Sequence, residues 1–204
     1  MVIGLVVAIG ALTLYIATLP PTLSWGWQNF GVDGGELLAS ARHLGIPHPP
    51  GYPTYMLLLR GFTWLVPIGD FAFRGNLMSA VLASVSVGLV YWTTLRLWSW
   101  LHPNGPRWTA VMSASMSGTT LAVTPLLWSQ AIITEVYTLN AAFITVILLL
   151  ASKTVLRSIG TIRIDRPESR ITRAERRRIP DTVPGPRNLL AKLVMRCPNT
   201  GLLA

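Results

Sequence analysis

Two carboxylates, a histidine and a tyrosine occur close together between residues 33 and 52. Asp33 and Glu36 are separated by two glycines, and His48 and Tyr52 follow within a proline-rich run. A carboxylate within hydrogen-bond reach of a hydroxyl can act as a general base, because it removes the proton as the hydroxyl attacks an electrophile. This segment is therefore the most informative part of the chain for chemistry.

The two acids also have a purely structural interpretation. An Asp-x-x-Glu spacing resembles a helix capping box, with Asp33 at the N-cap and Glu36 at the third helical position. Capping and chemistry do not exclude each other. The run 46–53 is stiff because each residue that precedes a proline is driven to extended geometry. Either this rigidity holds His48 and Tyr52 near the acids or it only redirects the backbone, and the residues alone leave both alternatives open.

The residues around the acids predict a short helix that lies on the membrane. Its apolar residues recur at helical spacing, and Gly45 suits its C-terminal stop. Those apolar residues are Leu37, Leu38, Ala41 and Leu44. We therefore expect Asp33 and Glu36 at the beginning of an interfacial helix.

Other charged residues give weaker signals. Glu135 lies at the edge of an apolar segment beyond Pro125, where an acid is often only solvated, although one beside small polar residues can face a cavity. Arg42, Arg60 and Arg74 have the right chemistry to bind phosphate. An interfacial arginine, however, more commonly extends its charged end toward water. Neither observation defines a site by itself.

The composition is that of a membrane protein. Hydrophobic residues make up 51% of the 204 residues, charged residues make up 12%, and the mean hydropathy is +0.49. Four apolar runs are long enough to cross about 30 Å of hydrocarbon, and they cover residues 2–19, 77–95, 108–127 and either 132–150 or 137–150. The run 54–68 is predicted to be re-entrant or surface-lying, because Arg60 at its centre is costly inside a bilayer. We predict an all-α, polytopic membrane protein with about four transmembrane helices and a helical first outer loop.

Basic residues are concentrated toward the C-terminus. Residues 1–150 contain five Arg, no Lys and four acids, whereas residues 151–204 contain twelve Lys or Arg and four acids. Cytoplasmic segments are enriched in Lys and Arg, so the C-terminal tail is expected to be cytoplasmic. Counting back through four spans places residues 20–76 and 128–135 outside. All four acids of the first part then lie on the outer face.

The basic tail determines the expected domain boundary and partners. We predict a transmembrane domain over residues 1–156 and a disordered tail over residues 157–204 that is attracted to membrane lipids with anionic headgroups. No nucleic-acid partner is expected, since the tail lacks interleaved aromatic residues and any known binding fold. Cys197 is the single cysteine, so neither an intrachain disulfide nor a cysteine-based zinc site is predicted.

An ordered series of short motifs resembles a known family. The motifs are Asp-Gly-Gly-Glu-Leu from residue 33, Leu-Gly-Ile-Pro-His-Pro-Pro-Gly-Tyr-Pro-Thr-Tyr from residue 44, Phe-Arg-Gly-Asn-Leu-Met-Ser-Ala from residue 73, Trp-Ser-Gln-Ala from residue 128 and Glu-Val-Tyr-Thr-Leu-Asn-Ala from residue 135. In this order they closely resemble the domain of unknown function 2723. That family occurs in bacterial membrane proteins and in the eukaryotic transmembrane protein 260-like protein O-mannosyltransferases. The resemblance covers residues 10–155, and Gly34 stands where the family more often has Ser.

The resemblance implies a multispanning glycosyltransferase of the C type. Such an enzyme moves a sugar, here expected to be mannose, from a polyprenyl-phosphate carrier to a protein or lipid hydroxyl on the outer face. An acid in the first outer loop is typically its catalytic base. In this chain that residue is Asp33, with Glu36 as its neighbour or substitute.

Four further residues are expected to bind substrate. The leaving group of the implied reaction is a lipid phosphate, whose developing charge needs hydrogen-bond donors or cations. We expect these from Arg42, His48 and Tyr52, and we expect Glu135 to orient the acceptor or to hold the outer turns together. No cofactor is predicted, and dependence on a divalent metal stays open. The expected location is a bacterial plasma membrane, with the active loop outside.

The size of the chain favours an alternative function. Enzymes of this class generally have more spans than this chain, and the resemblance ends near Lys153. In this alternative, the chain is a non-catalytic membrane assembly subunit that acts with a larger membrane partner, or a truncated remnant of such an enzyme. A small transporter component would instead show acids inside spans or paired broken helices. The sequence offers only Pro125 and the segment around Arg60 as signs of the latter.

Overall fold

The computed structural model describes residues 2–23 and 33–165, with side chains as far as residue 158. Every regular element in these residues is an α-helix, which confirms the predicted fold class. In chain order the helices are α1 (Val2–Ala17), α2 (Gly34–His43), α3 (Pro53–Leu65), α4 (Phe71–Leu101), α5 (Arg107–Val123), α6 (Pro125–Ala131) and α7 (Tyr137–Asp165). The chain divides into two units, Met1–Ser158 and Ile159–Ala204. Most of the predicted tail, including Cys197, lies outside the described residues.

Two of the described helices are long and apolar enough to cross a membrane. They are α4, with 31 residues, and the Tyr137–Ser158 part of α7, with 22. Helices α5 and α6 pass the same test as a pair, but they are bent by 62° at the break between them. The bend follows from Pro125, which opens α6 because it has no N–H to continue the ladder of α5. The described part of the chain therefore contains two candidate spans, or three if the bent pair is one span.

Two further apolar helices are shorter. α1 has 16 residues, so it is about 24 Å long, less than the roughly 30 Å of a bilayer core. α3 has 13 residues and is about 20 Å long, which agrees with the expectation that the run 54–68 does not span. The chain is a polytopic helical membrane protein, and a total of four spans requires both α1 and the bent pair to cross.

The bent pair returns along the whole length of α4. Near the end of α4, the indole N–H of Trp98 donates to Thr109 Oγ1 at the beginning of α5, at 3.2 Å. Near the beginning of α4, the hydroxyl of Thr134, just beyond α6, donates to Asn76 Oδ1 at 2.8 Å. Because the two contacts lie at opposite ends of α4, α5 and α6 together bring the chain back to the end where α4 began.

Small residues let α1, α4 and α5 pack closely. The buried face of α5 repeats every four residues and consists of Ala110, Ala114, Gly118 and Ala122. A Cβ atom on Gly118 would lie 3.1 Å from a methyl of Val7, and a Cβ atom on Gly88 would lie 3.2 Å from the methyl of Ala8. Such close backbone approach is the usual way in which membrane helices associate.

The first loop, which joins α1 to α4 and contains α2 and α3, contributes to an apolar core at the end of the molecule where α4 begins. The buried apolar residues of this core come from α2, α3, α4 and α7 and are Leu37, Leu38, Ala41, Tyr55, Met56, Leu59, Met78 and Leu139. Asn76 ties the core to the chain after α1, since its amide donates to the carbonyls of Pro20 at 3.4 Å and Thr22 at 3.3 Å. α2 is therefore held against the beginnings of α4 and α7.

Candidate active site

α2 begins at the two candidate acids. Asp33 is its N-cap residue, but at φ −82° and ψ −16° its side chain makes no capping hydrogen bond. The capping-box interpretation of the Asp-x-x-Glu spacing is therefore wrong. Glu36 is exposed in the first turn, because the opposite face of α2 is buried in the core. The left-handed residue that ends the helix is Leu44, with φ 54°, one position before the predicted Gly45.

His48 links the two acids. Its backbone N–H donates to Glu36 Oε1 at 2.7 Å, and its ring Nδ1 lies 2.9 Å from Glu36 Oε2. The other ring nitrogen, Nε2, lies 3.8 Å from Asp33 Oδ2. Glu36 is thus engaged through both oxygens. Among the described residues, the Asp33 carboxylate has only this long contact with the ring as an ion pair, and its side chain is 48% exposed.

These contacts shift two pKa values in opposite directions. The side-chain hydrogen bond with His48, followed by the backbone one, lowers the pKa of Glu36. The same side-chain hydrogen bond raises the pKa of His48, and the charges of Glu36, Asp33 and Glu135 act in the same direction. Both shifts favour an ionised pair, a carboxylate beside an imidazolium.

The proline-rich run brings a second ring to the site. Gly51 and Tyr52 adopt positive φ angles of 84° and 43°, and the N–H of Gly51 donates to the carbonyl of His48 at 2.9 Å, which closes a turn. The turn places the Tyr52 ring edge-on to the His48 ring, with centroids 5.6 Å apart and planes at 76°. Of the two alternatives that the sequence left open, the run therefore holds His48 and Tyr52 near the acids.

Glu135 joins the site from the turn between α6 and α7. It is 3% exposed, and burial, together with the charge of Asp33, raises its pKa to about 7. Backbone hydrogen bonds from Val136 and Asp33 and the charge of His48 act in the opposite direction. The structure thus brings an acid from a remote part of the sequence next to Asp33, where it gains or loses a proton near neutral pH.

Polar side chains to which the sequence analysis assigned no role lie near Glu135. Tyr55 is fully buried with its hydroxyl facing Ser79, and burial, together with the charge of Glu135, raises the pKa of this hydroxyl. Thr138, in the first turn of α7, has a buried hydroxyl without a hydrogen-bond partner among the described residues. Tyr55, Ser79 and Thr138 lie within the motifs that begin at residues 44, 73 and 135, and these motifs were the sequence signal for this polar layer.

Arg42 does not join this cluster. Its guanidinium lies over the Phe71 ring, 5.6 Å from the centroid, and it lines a separate pocket together with Arg60 and Arg74. The sequence predicted one group of leaving-group ligands from Arg42 and the two rings. The structure places the rings beside the acids and the arginine beside other arginines.

The chemistry available to the cluster is proton transfer. Within the described ranges, no group of three or more His, Cys, Asp or Glu side chains is arranged to hold a metal ion. The cluster combines a half-exposed carboxylate, an imidazole that orients a second carboxylate, and a buried acid with a pKa near neutrality. Groups of this kind can accept a proton from a substrate hydroxyl.

Fold and site together define a class: a polytopic helical membrane protein with an acid cluster at one end of its helices. The family described as "Protein O-mannosyl-transferase TMEM260 N-terminal domain" matches residues 33–165. This chain belongs to that family. The match begins at Asp33 and contains every residue of the candidate site.

Two similar relatives carry the name of the whole enzyme. The mouse protein O-mannosyl-transferase TMEM260 is 34% identical over 137 residues, which cover 67% of this chain and 17% of the relative. The Dictyostelium discoideum protein O-mannosyl-transferase tmem260 is 30% identical over 139 residues, which cover 67% of this chain and 15% of the relative. The chain thus spans about a sixth of the length of these relatives. No solved structure matches it. The names of both relatives support a membrane glycosyltransferase. Both relatives are eukaryotic, so they do not support the expected bacterial origin.

Proposed function

We propose that this chain is the N-terminal part of a membrane glycosyltransferase that transfers mannose from a polyprenyl-phosphate carrier to a protein hydroxyl on the outer or lumenal face. Family membership and the names of the relatives support the mannosyl transfer. The lipid-linked donor and the side of the membrane are parts of the proposal, and so is activity in a chain of this length.

The observation that carries the proposal is the difference between the two acids of α2. Both oxygens of Glu36 accept hydrogen bonds from His48, and these bonds lower its pKa. A carboxylate held in this way is a weaker base and a poor partner for a substrate. Asp33 is half exposed, and its nearest charged partner among the described residues is 3.8 Å away. Asp33 is therefore the base that an acceptor hydroxyl can reach, and Glu36 positions His48.

The proposed step balances as a direct displacement. The acceptor oxygen bonds to the anomeric carbon of the mannosyl group, and its proton passes to the Asp33 carboxylate. The bond between the anomeric carbon and the phosphate oxygen breaks, and the lipid phosphate leaves with one additional negative charge. The protein must therefore supply both a base on one side of the sugar and positive charge near the phosphate.

Glu135 is the buried acid next to the base in this scheme. The charge of Asp33 is one of the causes that raise the pKa of Glu135 to about 7, so Glu135 can hold a proton near neutral pH. Glu135 also lies at the junction of α6 and α7, where it can orient the acceptor.

The test is transfer of labelled mannose from polyprenyl-phosphate-mannose to protein in membranes that contain the chain. Replacing Asp33→Asn is expected to lower the rate by about a hundredfold or more, the usual effect of losing a general base. The matched control is Asp70→Asn, in the same loop. Asp70 caps α4 by accepting the Phe73 N–H at 2.6 Å, and Asn retains that capping function, so this variant is expected to keep wild-type transfer. Equal rates for wild type and Asp33→Asn would refute the assignment of the base.

A further inference from the structure

Three arginines line one pocket between α2, α3 and the beginning of α4. The pocket has a volume of about 380 Å³. Its lining residues are Arg42, Arg60, Thr63, Trp64, Phe71 and Arg74. In the part of the chain that the structure describes, none of the three guanidinium groups forms an ion pair with a carboxylate. The pocket therefore collects three positive charges, of which Arg74 interacts with the charge of Asp70 beyond ion-pair distance.

Neutral groups hold these arginines in place. Arg60 donates a hydrogen bond to the backbone carbonyl of Arg42. Arg74 donates from Nη1 to the carbonyl of Thr63 at 3.0 Å and from Nη2 to the carbonyl of Gly69 at 3.1 Å. The Nε of Arg74 is buried and has no hydrogen-bond partner among the described residues. A buried charged donor is costly to leave unsatisfied, so the pocket is suited to an anion with several acceptor oxygens.

An apolar helix face adjoins the pocket and indicates which anion fits. The side chains of α3 that do not pack on the core include large, exposed apolar residues, namely Leu57, Leu58, Trp64 and Leu65. Trp64 is 81% exposed and also lines the pocket. In a membrane protein such a face contacts lipid, and tryptophan prefers the headgroup level. An anion in the pocket can therefore carry a hydrocarbon chain that runs along α3, which favours a lipid phosphate over free phosphate.

We propose that Arg42, Arg60 and Arg74 form the phosphate-binding subsite for a polyprenyl phosphate. The proposal rests on the proposed function, because it places the phosphate of the lipid carrier relative to the base. Arginine suits this role since its planar guanidinium matches the oxygens of a phosphate. The chain that follows the phosphate lies against Trp64 and the exposed leucines of α3.

The distance between the two sites fits this arrangement. Glu36 and Arg42 lie six positions apart on α2, which corresponds to about 9 Å along the helix axis. The acid cluster and the arginine pocket thus lie at the two ends of one short helix. The reacting carbon of the sugar is bonded to a phosphate oxygen, so it would lie beside the pocket, and the acceptor hydroxyl would lie between this carbon and Asp33. The negative charge that the phosphate gains on departure would then develop beside three cations.

The experiment is equilibrium binding of radiolabelled undecaprenyl phosphate to the full chain in phosphatidylcholine nanodiscs. Wild type is expected to bind saturably, and Arg42→Gln and Arg60→Gln are each expected to weaken binding by about tenfold or more. Arg107→Gln is the matched control, because Arg107 is an exposed arginine at the beginning of α5 and does not line the pocket. Arg42→Lys and Arg60→Lys keep the charge without the planar guanidinium, so they are expected to bind more strongly than the Gln variants and less strongly than wild type. Binding by the Lys variants above that of the Gln variants excludes misfolding as the cause of the loss.

Several outcomes would overturn the proposal. They are the absence of saturable binding by wild type, equal weakening by Arg107→Gln, and unchanged binding by both pocket variants. Displacement of the probe by inorganic phosphate or by phosphatidylglycerol at equal concentration would show a general anion or phospholipid site and would also overturn it. Because the probe carries no sugar, binding is measured whether or not the chain transfers mannose, and the two proposals can fail separately.

Discussion

Asp33 and Glu36 lie three positions apart and each carries a carboxyl group, but the surroundings of the two groups differ. Glu36 accepts two hydrogen bonds from His48, whereas Asp33 stays half exposed beside the far side of the same ring. Glu135 has a third environment, since it is buried and its pKa is raised to about 7. Environment therefore separates three chemically similar side chains into a positioning residue, a candidate base and an acid that titrates near neutrality.

Glu135 is expected to make stability depend on pH. Its pKa is about 7 in the folded chain and 4.5 as the ordinary value, so the folded state holds a proton that the unfolded state has lost. The contribution of this proton to the stability of the fold is fully present below pH 4.5 and is lost as the pH rises through 7. Glu135→Gln does not titrate, so the variant does not lose stability in this way. Its free energy of unfolding minus that of wild type is therefore expected to be larger at pH 8 than at pH 5, by up to about 3 kcal/mol.

Chemical unfolding in detergent, followed by tryptophan fluorescence at the two pH values, measures this difference. Asp70→Asn is the control, because hydrogen bonds to its backbone neighbours lower the pKa of Asp70 below 3.8. The Asp70 carboxyl of the wild-type chain is therefore ionised at both pH values, and Asp70→Asn is expected to have the same effect on stability at each. If Glu135→Gln also shows no difference between pH 5 and pH 8, its side chain does not titrate in this range.

At the scale of the elements, the site depends on how α2 is held against α4. Gly75 lies in the first turns of α4, and a Cβ atom there would be 2.5 Å from the Thr134 hydroxyl and 2.8 Å from a methyl of Leu38. The close contact brings α2 and the turn before α7 onto the same helix. Because Asp33 and Glu135 lie on those two segments, Gly75 sets the spacing between the acids.

Gly75→Ala is therefore expected to destabilise the fold by about 1 to 3 kcal/mol, the usual effect of overpacking. It is also expected to reduce transfer, because the two acid-bearing segments are pushed apart. Gly10→Ala is the matched control, since a Cβ atom at Gly10 meets nothing within 4 Å and alanine favours a helix more than glycine does. Thermal unfolding and mannose transfer are compared for both variants. A Gly75→Ala protein as stable and active as wild type would contradict this account of the spacing.

For the whole molecule, the path of α5 and α6 decides the topology. Contacts from Trp98 to Thr109 and from Thr134 to Asn76 show that the bent pair follows α4 from end to end. If α4 crosses the membrane, the bent pair crosses back, in spite of its 62° bend. The acid cluster and the beginning of α7 then share one side of the membrane, and the end of α7 lies on the other.

Single cysteines at Ser40 and Ser158 test this arrangement in a Cys197→Ser background. Three crossings, by α4, the bent pair and α7, separate the two positions, so a membrane-impermeant thiol reagent is expected to label them from opposite sides. A re-entrant bent pair would leave two crossings, and both positions would then react from the same side. Labelling after the membrane is permeabilised shows that each cysteine is accessible, and the cysteine-free chain measures background.

The sequence by itself determined the class of the protein and the location of its chemistry. Runs of apolar residues long enough to cross a bilayer predict membrane helices, because both the helical period and the length of a span are local properties of the chain. The motifs around Asp33 and His48 predicted the family to which the chain belongs. Pro125 marked the place where α5 ends and α6 begins, because proline cannot continue a helical hydrogen-bond ladder.

Only the tertiary structure decided which residues act together. Spacing predicted a capping box at Asp33 and Glu36, but His48 takes both oxygens of Glu36. Glu135 is far from Asp33 in the sequence, and its pKa is raised because the turn before α7 packs against the first loop, where Glu135 is buried beside the charge of Asp33. Arg42 was predicted to bind the leaving phosphate together with His48 and Tyr52, yet its side chain lines the arginine pocket. Burial, charge and contact between distant segments depend on how helices pack, and that information is not contained in any local pattern.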